Sequence, residues 1–371
     1  MISLGPLLDP ILRDLKLPLA NGGTLSFGFF LGRVVGVLLL NFVLAKVPLK
    51  SVLVAAAWVQ AAALATAGLA VGGPWPLFGA LLVAGLTAVI PNAISGIWVG
   101  AHVRTGTERA MLMVLAFFAL GVVVAPLAIG VALGLGATWR WVFVGEAVLS
   151  AGMALALTTS PLPDVVGREN LRIQQLREMA RFAPRLLGAM LATAFVYVGA
   201  ETALGVWLAK FEIDAHGATP ALAALSVTLF WAGITVGRYA TAPLTRLLPP
   251  HRLLAIFAAA HTVFVLGTVL SPTLALSLTC VFFTGLGGSV CFPLVGGYAN
   301  RFPGWYAGVA FSGVMLAGTT GSTVFSYVTG PLAGAVGLRT ALGMTAVLSA
   351  LVIALAFVFR RVAGEGVPRR T

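Results

Sequence analysis

One carboxyl stands in an apolar run where a soluble fold would have no reason to place it. Glu201 lies in Tyr197-Val198-Gly199-Ala200-Glu201-Thr202-Ala203-Leu204-Gly205-Val206-Trp207-Leu208-Ala209-Lys210, inside an apolar segment that begins near Leu186. An ionisable group at membrane depth is costly, so it faces a cavity or a partner and marks a substrate or ion path. At about 100° per residue, Tyr197, Glu201, Leu204 and Leu208 share one helix face, and Trp207 flanks it. A carboxylate, a phenol and an indole at one level can hold a small polar molecule. A carboxyl that takes up a proton on one side and releases it on the other is the minimum a proton-coupled carrier needs. The same pattern also suits a scaffold in which Glu201 only hydrogen-bonds a neighbouring helix. Gly199 and Gly205 bracket the Glu and permit close helix packing.

The elements that must position these groups are membrane-spanning helices. Hydrophobic residues make up 59% of the chain and charged residues 9%, which excludes an ordinary soluble domain. Apolar segments near 22–45, 51–72, 77–101, 110–134 and 139–158 are followed by a hydrophilic stretch. A second group runs near 186–210, 221–247, 252–271, 273–299, 306–335 and 338–360. Met1 to Leu12 is apolar but short, and reads as the last third of a spanning helix whose beginning is missing. The predicted fold is an all-α multi-pass membrane protein of two six-helix bundles, at 1–158 and 186–362. An amphipathic linker, 159–185, and a basic tail, 363–371, complete it.

The +12 formal charge points to membrane topology, and no nucleic-acid partner is expected. Arg168, Arg172, Arg177, Arg181 and Arg185 crowd the linker, and Arg360, Arg361, Arg369 and Arg370 the C-terminus. The positive-inside rule therefore places both on the cytoplasmic side of the cell (inner) membrane. In the linker, Ile173, Leu176, Met179 and Phe182 recur at helical spacing, so it is predicted to lie on the lipid surface with its arginines as lipid anchors.

Internal similarity supports a duplicated bundle. Gly28-Phe29-Phe30-Leu31-Gly32-Arg33 returns as Gly233-Ile234-Thr235-Val236-Gly237-Arg238, an offset of 205 (238 − 33). Gly85 to Pro91 returns as Gly287 to Pro293, an offset of 202, and Pro126-Leu127-Ala128 as Pro331-Leu332-Ala333, an offset of 205. Gly-x-x-x-Gly lets helices approach closely. On this register Arg33 and Arg238 sit at matching depths and are assigned a structural or gating role. Pro91 and Pro293 are predicted to kink their helices, freeing carbonyls that must find partners or line a cavity. Asn92, next to the first kink, is a candidate cavity residue.

These residues resemble the major facilitator superfamily of secondary transporters. Leu229 to Arg238 is similar to the eighth span of its fucose-permease-like sugar/proton symporters, and Phe195 to Trp207 to their seventh. Trp139-Arg140-Trp141-Val142-Phe143 resembles the opening of the superfamily's sixth span. The resemblance implies two bundles rocking about a central site lined by spans one, four, seven and ten. On that basis Tyr197, Glu201 and Trp207 contribute from span seven, Asn92 from span four and Phe292 from span ten. The subgroup's acid in span four falls near Ala88, where this chain has none, and its acid in span one falls in the missing part. Span five, Gly121 to Gly130 with Pro126, partly resembles a motif of drug/proton antiporters. The function implied is proton-coupled movement of a small, sugar-like solute by a monomer in lipid, with drug or metabolite efflux as the alternative.

Other candidates weigh less. Glu146 reads as an interfacial acid pairing with Arg140 or a neighbour, His261 as a residue of a peripheral support helix, and Trp58, Trp75, Trp139 and Trp305 as interface anchors. Cys280 and Cys291 are roughly 16 Å apart along one predicted helix, too far for a disulfide. Phosphate loops, His/Cys metal spacings and nucleophile elbows do not occur, so neither enzyme nor cofactor is expected.

Overall fold

A bilayer offers backbone N–H and C=O groups no water, so apolar spans satisfy them internally as helices. The computed structural model describes residues 3–44, 46–69, 72–102, 107–160, 178, 181, 183–241, 243–302 and 306–362, without the side chains of 41, 92, 96, 97, 100–102, 107–109, 111 and 112. Almost all of the predicted linker helix and the whole basic tail lie outside these residues. The first half comprises α1 (Leu4–Asp14), α2 (Leu19–Leu44), α3 (Leu49–Leu69), α4 (Pro74–Ala88), α5 (Ile90–His102), α6 (Thr107–Gly134) and α7 (Trp139–Thr159). The second comprises α8 (Pro184–His216), α9 (Pro220–Thr241), α10 (Pro250–Leu270), α11 (Leu274–Gly288), α12 (Cys291–Gly297), α13 (Tyr306–Val336) and α14 (Leu338–Val362). Eleven segments among the described residues are long and apolar enough to cross a membrane, and the chain is a multi-pass membrane protein.

The duplication is visible in backbone punctuation. Lys16 and Gly217 end α1 and α8 with positive φ (50° and 63°), and Gly136 and Gly337 follow α6 and α13 in the same way (90° and 84°). Each pair is 201 residues apart (217 − 16 and 337 − 136). Span four breaks at Val89, between α4 and α5, and span ten breaks at Ser289–Val290, between α11 and α12. Pro91 and Pro293 therefore sit in the first turns of α5 and α12, where a missing N–H costs least.

This periodicity corrects the register read from sequence. Helix α2 crosses α4 where a Cβ on Gly32 would overlap the Leu82 carbonyl, and one on Gly85 the Phe29 carbonyl. Helix α9 crosses α11 where Gly233 meets the Phe282 carbonyl and Gly285 the Phe230 carbonyl. Gly32 is thus the counterpart of Gly233, and Gly36, against Leu86, that of Gly237. Gly28 faces the Phe78 ring instead. The three glycines Gly28, Gly32 and Gly36 recur every fourth residue, so a match slipped by one turn looks equally good. Arg33 and Arg238 consequently differ in depth by one turn, about 6 Å. Pro126 and Pro331 are likewise one turn out of register.

Among the described residues the halves meet where α1 packs on α8 and α9, α2 on α13, and α6 on α9. Gly5 lies against the Gly205 carbonyl, and a Cβ on Gly22 would come 2.8 Å from the Trp207 ring. Gly330 would meet the Cα of Gly23 at 2.8 Å, and Gly130 would meet Ala224 at 2.6 Å. Those last two approaches are symmetry mates, since Gly330 follows Gly130 by 200 and Ala224 follows Gly23 by 201. All of them lie at the end of the molecule opposite the connection between α7 and α8, here called the far end. Outer faces carry exposed apolar side chains, among them Phe42 (67%), Trp75 (71%) and Phe117 (75%). Trp139 departs from its predicted anchoring place: it is buried, with its indole N–H donating to Asp14 at 3.0 Å.

Candidate functional site

Helix α8 is almost entirely enclosed by its neighbours, because α13, α14, α9 and α1 pack on it from different sides. Tyr197 and Glu201 are four residues apart on it and share a face. The Tyr197 hydroxyl meets the Glu201 carboxyl and also lies 2.6 Å from the carbonyl oxygen of Gly288. Gly288 is the last residue of α11, at the break in span ten, and a Cβ there would stand 2.6 Å from the phenol oxygen. The phenol's seat therefore requires glycine. Glu201 is 8% exposed and Tyr197 2%.

His261 of α10 closes this cluster. Its ring meets the Tyr197 ring edge-on at 6.0 Å, and its Cδ2 is 3.1 Å from where a Gly288 Cβ would be. The Ser349 hydroxyl donates to the Thr345 carbonyl at 2.7 Å, so it accepts from His261 Nδ1 at 2.7 Å. That fixes the proton on Nδ1, and Nε2 is buried without a hydrogen-bond partner among the described residues. The predicted peripheral role is corrected: a helix at the edge of a bundle still turns one face inward, and His261 is on it. Cys291, just past the break, is buried in the same apolar surround, and both cysteines are free. The charge of Arg238, on α9, bears on Glu201.

The other sequence candidates lie elsewhere. Trp207 is fully buried at the far-end closure, its indole donating to the Ser326 carbonyl at 3.2 Å, so the structure does not bring it to the carboxyl of Glu201. Phe292, on α12, packs edge-on against Phe311 at 6.4 Å. The side chain of Asn92 is outside the described residues. Arg33 is half-buried, with its guanidinium 6.0 Å from the Phe30 ring centre. Gly199 packs on α13, where its Cβ would be 2.9 Å from the Gly321 carbonyl.

Glu146 is not an interfacial partner of Arg140. Residues six apart on a helix are about 120° apart around it and face different ways. Glu146 instead accepts from the Ser3 hydroxyl and lines a cavity of about 310 Å³ with Gln60 and Ser150. Arg140 pairs with Asp14 at 3.2 Å. A larger cavity of about 660 Å³ adjoins it, lined by Lys50, Gln60, Thr87, Ser95, Trp98 and Met153. Gln60 precedes His261 by 201 residues and Ala88 precedes Gly288 by 200, so these walls correspond. In the second half the equivalent place is taken by Tyr197.

Sequence reading also passed over Asp9. It is 5% exposed in α1 and pairs with Lys210 of α8 at 2.9 Å. The signal was present, since Asp9 is the one acid within the apolar run Met1 to Leu12. Glu212 was missed as well. It is fully buried near the far end of α8, accepts from the Ser277 hydroxyl at 2.7 Å, and meets His216 at 2.9 Å.

Known proteins share this architecture. The chain is 27% identical over 272 residues to a protein described as a glucose/galactose transporter from Brucella abortus, a match covering 70% of this chain and 65% of that one. The chain thus spans about two-thirds of that relative's length. A bacterial homologue of the human lysosomal transporter Spinster, in an inward-facing and unoccupied conformation, superposes with a TM-score of 0.81 at 15% identity, covering 100% of this chain and 95% of the other. The transporter FucP in its outward conformation superposes with a TM-score of 0.59 at 17% identity, covering 96% of each chain. The family profile described as Major Facilitator Superfamily matches residues 1–302. Duplicated bundles, broken fourth and tenth spans and this match agree: the chain belongs to the Major Facilitator Superfamily.

Proposed function

We propose that the chain is a secondary transporter that moves a small polar, sugar-like solute by alternating access, coupled to protons through Glu201. The observation that carries this is the buried carboxyl of α8 joined through Tyr197 to the break in span ten. A carboxyl enclosed in the membrane and hydrogen-bonded, among the described residues, to a phenol can hold a proton that travels with the solute. The break supplies a hinge between two rigid half-helices. The curated relative's description as a glucose/galactose transporter supports the sugar class.

The arginine excess puts the connection between α7 and α8 and the C-terminus in the cytoplasm of a cell (inner) membrane. The far end then faces outward, and the close approaches of Gly5, Gly22, Gly23 and Gly130 hold it shut. That is the inward-facing member of the cycle, in line with the higher TM-score against an inward-facing neighbour than against an outward one. The solute would enter between the halves, beside Glu201 and Tyr197, with lipid as the only other partner and a monomer as the working unit.

Reconstitution into proteoliposomes tests this reading. An inward proton gradient is expected to drive uptake of at least one member of a panel of hexoses and deoxyhexoses. Absence of sugar uptake, together with extrusion of a cationic dye against the same gradient, would replace it with drug efflux.

A further inference from the structure

Proton counting around one hydroxyl says more about how Glu201 acts. The Tyr197 hydroxyl has one hydrogen to give and lies against two groups, the Glu201 carboxyl and the Gly288 carbonyl oxygen at 2.6 Å. The Gly288 carbonyl can only accept. If Tyr197 donates to it, the phenol oxygen must itself accept from Glu201, which requires the protonated carboxyl. If Glu201 is ionised, it takes the phenol's hydrogen, and the buried Gly288 carbonyl loses its donor. A buried carbonyl left without a partner is costly. Both arrangements cannot hold at once.

We propose that Tyr197 is a positioning residue that reports the proton on Glu201 to the break in span ten. With Glu201 protonated, the chain Glu201–Tyr197–Gly288 is complete and α11 is pinned to α8 at its last residue. When Glu201 gives its proton to water, the Tyr197 O–H turns from Gly288 to the carboxylate, and α11 is released beside the Ser289–Val290 break. Tyr197 keeps its own proton throughout, so the step moves one proton from Glu201 to solvent and nothing else. In the structure the phenol oxygen lies within hydrogen-bond distance of both the Glu201 carboxyl and the Gly288 carbonyl, the placement that either arrangement starts from. This rests on Glu201 as the proton site, and it adds the part that moves.

The other groups around the pair do not make the same link. From α9, Arg238 contributes charge. From α10, His261 presents the bare Nε2 beside Gly288, its Nδ1 held by Ser349. From α12, Cys291 is a free, buried thiol. From α13, Ser322 bonds to Thr202 at 2.9 Å, on another face of α8. None of these places one hydrogen between Glu201 and a backbone acceptor at the break.

Cys291, the residue after the break, is a built-in reporter. In the full chain with Cys280→Ser, maleimide labelling of Cys291 is followed from acidic to mildly alkaline pH, with Glu201→Gln and Tyr197→Phe added separately. Gln donates an N–H to the phenol as the protonated acid does, so that variant is expected to stay protected and to show only the thiol's intrinsic rise with pH. Phe leaves Gly288 unpaired, so that variant is expected to label fast with only the same intrinsic rise. The chain without either substitution is expected to cross several-fold from the first behaviour to the second as pH rises. Three identical profiles, or a Gln variant labelled as fast as the Phe one, would overturn the link. Proton-driven uptake in the same samples keeps the two ideas apart. Uptake lost in Glu201→Gln alongside identical labelling profiles would leave Glu201 as the proton site and remove Tyr197 as its messenger.

Discussion

Asp9 and Lys210 face each other at 2.9 Å across the two halves, and they are 201 residues apart, the period of the duplication. Equivalent positions of two copies of one bundle thus carry opposite charges and close on each other, where identical residues would repel. Arg13 lies 2.9 Å from Asp9, and Asp214 lies 2.5 Å from Lys210, extending the pair into a chain of four charges on the far end. Desolvation costs such a pair much of its Coulomb gain, but removing one partner strands the other.

That geometry makes Asp9 a latch. Asp9→Asn is expected to weaken far-end closure by less than the roughly 3–5 kcal/mol typical of a broken buried pair, because Lys210 keeps Asp214. Spin labels at Leu135 and Val336, exposed on opposite halves of the far end, would read it as a new longer-distance population. An unchanged distance distribution would remove the latch role. Reversing the pair, Asp9→Lys with Lys210→Asp, is expected to restore closure only in part, because Arg13 and Asp214 would then face like charges.

The crossing of α2 over α4 has no room for a side chain. A Cβ on Gly85 would overlap the Phe29 carbonyl, whereas one on Gly79 of the same helix meets nothing within 4 Å. Gly85→Ala is expected to lower the thermal midpoint in detergent by an amount corresponding to about 1–3 kcal/mol of overpacking, and Gly79→Ala to leave it unchanged. Equal midpoints for the two variants would mean that α2 and α4 are not in this register.

Two buried acids share α8, and their surroundings assign them different work. Glu212 has Ser277 and His216 as partners, and His216 is in turn 3.1 Å from the Ser271 carbonyl. Glu212→Ala strands those groups and is expected to cost about 1–3 kcal/mol of stability while leaving coupling per folded molecule intact. A Glu212→Ala protein as stable as the parent, yet no longer driven by protons, would transfer the ion site from Glu201 to Glu212.

Much of the architecture was legible because membrane spans announce themselves by length and hydropathy, and a lone Glu201 in such a span announces itself by cost. Residue-level register was not. The stripe Gly28, Gly32, Gly36 repeats at the helical period, so similarity could slide by one turn and carry Arg33 onto Arg238. Trp207 shares an apolar segment with Glu201, but sequence does not say which end of it closes against the other half. His261 was given too little weight and Gly288 was not singled out because their relevance exists only through Tyr197, 64 and 91 residues away in the chain.

The central claim is that Glu201 couples solute movement to protons, and one pair of assays on Glu201→Gln bears on it directly. A variant that cannot release a proton should still exchange labelled for unlabelled sugar across a proteoliposome membrane, while losing uptake driven by an inward proton gradient. Exchange retained and gradient-driven uptake abolished is the expected result. Gradient-driven uptake equal to that of the parent chain would contradict the account and leave the carboxyl of α8 as scaffold.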